Sequence, residues 1–172
     1  FVNITNEARN SCASTLGLCW AGFALAYLAG VNKTVFDKKL FGVFPLKSLA
    51  PGHPLMGTQD DEFICPQSRF AGLPDLEMEE AQKEGKLNLL AYGKDVGYTI
   101  FETKDQKQLM HLGHPEYTVH RIISEINRDK EKGDVPPPEN FDINCSNTSW
   151  RSHRNLLFQQ WLWFCYQQVS LS

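Results

Sequence analysis

Between Ser14 and Leu28 the sequence passes from a short apolar strand straight into a helix, with a single cysteine at the joint. Ser14 to Leu18 reads Ser-Thr-Leu-Gly-Leu, a strand. Trp20 to Leu28 reads Trp-Ala-Gly-Phe-Ala-Leu-Ala-Tyr-Leu, rich in helix formers and small residues, and it ends at Ala29-Gly30, where Gly30 suits the position just past a helix C-terminus. Cys19 therefore stands where a buried strand turns into a helix. In an α/β fold that joint favours a nucleophile: the turn is sharp, the side chain is exposed, and the helix start favours an anion.

The rest of the chain reads as one domain over residues 1–172. Its composition, 42% hydrophobic and 22% charged, supplies enough apolar mass for a core. From Val31 to Leu76 the pattern is irregular, and Pro45, Pro51, Pro54, Pro66 and Pro74 predict loops over a scaffold. Leu76 to Glu84 reads as a short acidic helix. Three strand-like runs follow, Leu87 to Tyr92, Tyr98 to Glu102 and Gln108 to Leu112, with polar turns that predict an antiparallel meander. Thr118 to Lys132 carries an apolar stripe of Ile122, Ile123 and Ile126 and predicts a helix. Pro136-Pro137-Pro138 starts an extended linker. Arg151 to Gln167 places Leu156, Leu157, Trp161, Leu162, Phe164 and Cys165 at helical spacings, which predicts a core helix.

A net charge of −3 gives neither nucleic acid nor an anionic membrane a basic surface, and no apolar run is long enough to span a bilayer. The N-terminus lacks the basic and apolar regions of a secretion signal. Five cysteines, an odd number with no C-x-x-C pair, argue against a zinc site or a complete disulfide framework, so free thiols in a reducing, cytoplasmic setting are expected. Four N-x-[ST] sequons, at Asn3, Asn32, Asn144 and Asn147, are taken as chance matches. No metal is expected.

Two local features carry chemistry: Leu-Cys-Trp-Ala-Gly at 18–22, and Gly-His-Pro-Glu-Tyr at 113–117 directly after a predicted strand. Acyl transfer through a covalent intermediate needs a nucleophile, a base and a group that orients the base. Cys19 can attack, His114 can take and return a proton, and Glu116 can hold the imidazole tautomer. A lone cysteine beside tryptophan is ordinarily a buried apolar residue, and His-Pro-Glu an ordinary turn. Together they fit a triad.

Cys-Trp-Ala (19–21), Lys-Lys-Leu-Phe-Gly-Val-Phe (38–44), Asp-Asp-Glu-Phe (60–63) with Pro-Gln-Ser-Arg (66–69), Gly-His-Pro-Glu-Tyr (113–117), Arg-Asp (128–129) and Trp-Arg-Ser-His-Arg-Asn-Leu-Leu-Phe (150–158) resemble, in order and spacing, the homoserine O-succinyltransferase and homoserine O-acetyltransferase family. The resemblance implies a flavodoxin-like three-layer α/β sandwich akin to class I glutamine amidotransferases, here without its N-terminal half. It implies Cys19 as nucleophile, His114 as base and Glu116 as its partner. It implies a ping-pong reaction in which succinyl-CoA or acetyl-CoA, as co-substrate, acylates the thiol and the hydroxyl of L-homoserine takes the acyl group, opening methionine biosynthesis. It also implies Lys39, Ser68 and Arg128 as substrate-binding residues, Lys39 toward an anionic part of a ligand and Arg128 toward a carboxylate. Without the resemblance, Lys39 and Arg128 read as solvated surface charges, and Trp150 to His153 as a helix start with its anchor.

The sequence departs from the family in places. Only 18 residues precede Cys19, and the family's front half would supply sheet strands and part of the oxyanion hole. The expectation is a weakly active or inactive piece that associates, as a homodimer or with a missing N-terminal half. Gly22-Phe23 and Pro45-Leu46 also differ from the family pattern, which leaves serine open beside homoserine as acceptor. Two other readings stand beside acyl transfer. One is a glutamine amidotransferase-type hydrolase, although no Gly-x-Cys-x-Gly elbow is present. The other is an inactive domain kept for binding or assembly.

Overall fold

A computed structural model of the chain describes every residue except 1, 132, 134, 145, 146, 171 and 172. The elements run α1 (Val2–Ser11), β1 (Thr15–Leu18), α2 (Trp20–Leu28), β2 (Thr34–Ser48), β3 (Glu62–Gly72), α3 (Asp75–Lys83), β4 (Leu87–Gly93), β5 (Gly97–Thr103), β6 (Gln108–His111), α4 (Val119–Lys130) and α5 (Arg151–Ser170). One six-stranded sheet has the order β1-β6-β5-β4-β2-β3. β1 pairs with β6 in parallel, and every other pairing is antiparallel.

Alternation along the strands divides the core. Leu87 and Leu89 of β4, Phe101 of β5 and Met110 of β6 pack with α2 and α3 on one face. Leu90, Ala91, Ile100 and Leu109 meet Leu55, Met56 and Phe164 on the other, under α5 and the 50–59 loop. That is the three-layer arrangement expected. The meander is β4-β5-β6, and α4 begins where Thr118 accepts the Arg121 N–H at 3.2 Å as N-cap. Its predicted last residue, Lys132, lies outside the described residues.

Two expectations need correction. The stretch from Val31 to Leu76 is not loop throughout: β2 and β3 form a long antiparallel ribbon, with Val43 opposite Pro66 and Pro45 opposite Ile64. The Val43 N–H points away from β3, to Glu139 O at 3.0 Å. Successive amides alternate, so the N–H that Pro45 lacks would also have pointed away from the ladder. Pro45 therefore removes no bond to β3, and Pro66 sits on an edge strand. Nor is α5 a core helix. His153, Leu157 and Phe164 are buried, but Leu162, Trp163 and Tyr166 stand in solvent, because only one narrow stripe of the helix meets the sheet.

β2 pairs with β4 only at Lys47 and Ser48, so the ribbon projects beyond the sheet and α4 packs on it. Trp150, 1% exposed, closes that contact among Phe41, Val43, Ile122 and Ile126, and its indole N–H donates to Tyr117 O at 2.7 Å. Trp150→Ala is expected to lose about 3–5 kcal/mol in denaturant unfolding. A loss within about 0.5 kcal/mol, that of an ordinary surface change, would mean that Trp150 does not anchor this layer.

Candidate active site

β1 and β6 run side by side as far as the pair Leu18–His111, and both chains leave the sheet there. Cys19 leaves first, with φ 45° and ψ −107°, a conformation that L-residues rarely adopt. Its N–H donates to His111 O at 2.8 Å and its carbonyl accepts from the Phe23 N–H at 3.0 Å, so the turn is fixed from both sides. Such tightness needs small neighbours. A Cβ on Gly17 would meet Leu25 Cδ1 at 2.8 Å and the Ala21 backbone at 3.0 Å. Gly17 and Ala21, two residues either side of Cys19, thus do the work of the elbow glycines whose pattern is absent from the sequence.

From the other chain comes the base. His114 N–H donates to Pro66 O at 2.8 Å, and the ring stacks on Tyr117 with centroids 4.1 Å apart. Nδ1 pairs with Glu116 Oε1 at 2.6 Å, and the ring also hydrogen-bonds the Cys19 side chain. Burial acts to lower the His114 pKa, but the hydrogen bonds to Cys19 and Glu116 and their charges outweigh it and raise it to about 9. His114 is therefore protonated at neutral pH. The sequence-predicted Cys19, His114 and Glu116 are brought together.

The sulfur opens onto a cleft of about 330 Å³ bordered by Trp20, Ser68, Arg69 and Phe70. Arg69 was not anticipated. Its guanidinium is buried and donates to Gln67 Oε1, Ala71 O and Val96 O, all neutral, and among the described residues no carboxylate pairs with it. Burial lowers its pKa to about 10, offset by the charge at Cys19. A cation held this way faces the place where negative charge would gather.

Ser68 ties the cleft to a second group of residues. Its carbonyl lies 3.9 Å from Cys19 Sγ, and its hydroxyl donates to Glu125 Oε1 at 2.6 Å. Lys39, at 6% exposure, is no solvated charge: Nζ lies 2.8 Å from Glu125 Oε1 and 2.6 Å from Asp129 Oδ2. Arg128, with 47% of its side chain exposed, reaches Glu125 and Asp129 at 2.9 Å each. Burial tends to raise the Glu125 pKa, but hydrogen bonds from Lys39 and Ser68 bring it down to about 2. Glu125 Oε2 is buried, and the Tyr117 side chain also hydrogen-bonds this carboxylate. Lys39, Ser68 and Arg128 thus converge on one carboxylate that sequence reasoning missed. The signal was present: Glu125 precedes Arg128 by three, one helical turn, on the same face of α4.

One donor set could converge on a cation. Cys65, His111 and His153 are buried with ligand atoms within 4.8 Å of one another. Yet His111 Nδ1 accepts the Gly113 N–H at 3.0 Å, so Nε2 of the neutral ring carries the proton and offers no lone pair. Among the described residues Cys12, Cys19, Cys65 and Cys165 are free, and no helix is long and apolar enough to cross a membrane. Cys145 lies outside the described residues.

The fold is that of class I glutamine amidotransferases. A glutamine amidotransferase from Methylobacillus flagellatus superposes with a TM-score of 0.71 at 12% identity over 95% of this chain and 69% of that one. One from Thermotoga maritima gives 0.67 at 12% identity over 97% and 67%. In sequence, the chain is 36% identical to a homoserine O-succinyltransferase of Psychromonas ingrahamii, over 99% of this chain and 57% of that protein. It is 34% identical to a homoserine O-acetyltransferase of Bacillus subtilis, over 96% and 56%. The chain therefore spans a little over half the length of these curated relatives. The family model for homoserine O-succinyltransferase matches residues 1–171. With that match running through the strained cysteine, the His-Pro-Glu turn and the Glu125 cluster alike, this chain belongs to the homoserine O-succinyltransferase family.

Proposed function

We propose that the chain carries the covalent centre of an O-acyltransferase that moves a succinyl or acetyl group from its CoA thioester to the hydroxyl of L-homoserine, in methionine biosynthesis. The observation that carries this reading is Cys19, strained at a strand-to-helix turn, within hydrogen-bonding reach of a His114 whose other nitrogen is held by Glu116. The Cys19 thiolate attacks the acyl carbonyl. Its new C–S bond forms as the bond to the CoA sulfur breaks, and the leaving thiolate takes the proton from His114. The homoserine hydroxyl then attacks the Cys19 thioester, His114 takes the hydroxyl proton, and Cys19 leaves as thiolate. Arg69 stabilises the charge that gathers at each step.

Arg128 and Glu125 suit the acceptor. An exposed guanidinium pairs with the α-carboxylate, and the Glu125 carboxylate beside it suits the α-ammonium. Lys39 serves by holding Glu125 ionised and in place; its charge is already matched by two carboxylates.

Mixing the protein with succinyl-CoA or acetyl-CoA and L-homoserine, and following free CoA and O-acylhomoserine together, tests this. Equal yields of the two support it. Release of glutamate from glutamine with no acylhomoserine formed would replace it with the amidotransferase-type reading.

A further inference from the structure

The site holds one fully buried imidazole that the mechanism above does not use. His111 ends β6, and its carbonyl accepts the Cys19 N–H at 2.8 Å. Its Nδ1 accepts the Gly113 N–H at 3.0 Å, and its Nε2 lies 3.8 Å from Cys65 Sγ. The Cys65 thiol donates to Pro66 O at 3.6 Å, and that same oxygen accepts the His114 N–H at 2.8 Å. The donors and acceptors follow one another without conflict. They form a closed circuit from the Gly113 amide through His111, Cys65 and Pro66 back to the His114 amide. Burial keeps the His111 ring neutral and the Cys65 thiol protonated, as each step requires. Gly113 has no room for a side chain, since a Cβ there would meet Gln67 Nε2 at 2.5 Å and Pro66 O at 2.9 Å.

We propose that His111, with Cys65 as its partner, is a positioning residue: its backbone carbonyl holds Cys19 and its ring holds the Gly113–His114 peptide, so one residue spaces the nucleophile from the base, and its side chain sets the base's end of that spacing. The proposal rests on the assignment of Cys19 and His114 above. Cys19, Glu116 and Tyr117 surround the His114 ring, and Arg69 faces Cys19 from β3. None of them reaches the Gly113 amide, so the spacing depends on the buried circuit beneath.

Two amide substitutions separate the ring's two nitrogens. Asn at 111 can place its oxygen where Nδ1 stands, whereas Gln reaches the Nε2 position and leaves the Gly113 N–H without an acceptor. The readouts are the rate at which iodoacetamide alkylates the Cys19 peptide at pH 7, followed by mass spectrometry, and the His114 titration midpoint by NMR. His111→Asn is expected to alkylate within about twofold of the parent chain and His111→Gln about tenfold more slowly, the factor that one pH unit of midpoint represents. In His111→Gln the His114 midpoint falls from about 9 toward its ordinary 6.5. Parent-like values for His111→Gln, or equal losses in both variants, overturn the proposal. Should His111→Gln not fold, Cys65→Ala opens the same circuit and is expected to slow alkylation about threefold, the effect of roughly one lost hydrogen bond; an unchanged rate overturns it. Neither readout needs substrate. If Cys19→Ala still accepts an acyl group the catalytic assignment falls, while alkylation and titration still decide whether His111 spaces the pair.

Discussion

Incubated with succinyl-CoA or acetyl-CoA, the chain is expected to gain the mass of one acyl group on the peptide containing Cys19, and Cys19→Ala to gain none. The expectation follows from where strain and charge are gathered. Cys19 is held at φ 45° by bonds at both its N–H and its carbonyl, with a protonated His114 on one side and the buried Arg69 on the other. Removing the nucleophile of such a unit costs on the order of 10⁶ in rate in a protease triad. His114→Gln is expected to slow acylation on the order of 10²–10⁴, the usual contribution of a positioned acid or base. Adduct formation needs a single turnover. A centre slowed by even 10²–10³, the effect of one missing oxyanion donor, still accumulates adduct over minutes to hours. An acyl group found on Cys12, Cys65 or Cys165 instead would sink the assignment.

The second large effect concerns Lys39. Its ammonium is sealed between Glu125 and Asp129, and Lys39→Met leaves two buried carboxylates with the half-exposed Arg128 as the one cation paired with them among the described residues. Breaking a buried pair from one side costs about 3–5 kcal/mol, whereas an exposed pair is worth about 0–1 kcal/mol, so chemical unfolding at pH 7 separates the two descriptions. The pH dependence has a definite sign. Glu125 is lowered to about 2, and Asp129 is lowered too, by Arg128 and Lys39 against the opposing effect of burial. Groups lowered on folding contribute stability above their unfolded values, about 4.3 and 3.9, and lose it as pH falls through the folded ones. The parent chain should therefore lose stability between about pH 4.5 and pH 2, and the gap to Lys39→Met should close over the same window. A gap below about 1 kcal/mol at pH 7, or one that does not narrow in acid, would show that these charges are not sealed together.

Much of the scaffold was legible because its signals are local. The run from Ser14 to Leu28 is apolar with a cysteine at the joint, and β4, β5 and β6 alternate between polar turns, so propensity and periodicity suffice. The β2–β3 ribbon was not legible. Whether a proline interrupts a strand depends on which way its missing N–H would point, and that is set by the partner strand. α5 was over-read for a related reason. Helical spacing shows which residues share a face but not how wide a stripe the sheet will cover, and Leu162, one of the positions expected in the core, lies outside it.

The site divides in the same way. Residue types and chain order were enough to nominate Cys19, His114 and Glu116, since a thiol at a strand-to-helix joint and a His-x-Glu after a strand carry their chemistry in a few consecutive positions. Tertiary structure alone decided that Lys39 is sealed between carboxylates, that Arg69 is a buried cation without an acid, and that His111 bridges the two chain segments. Each of those facts is a matter of solvation and of contacts between distant strands. The energy of a charge or an imidazole depends on what surrounds it in three dimensions, and no spacing along the chain encodes that.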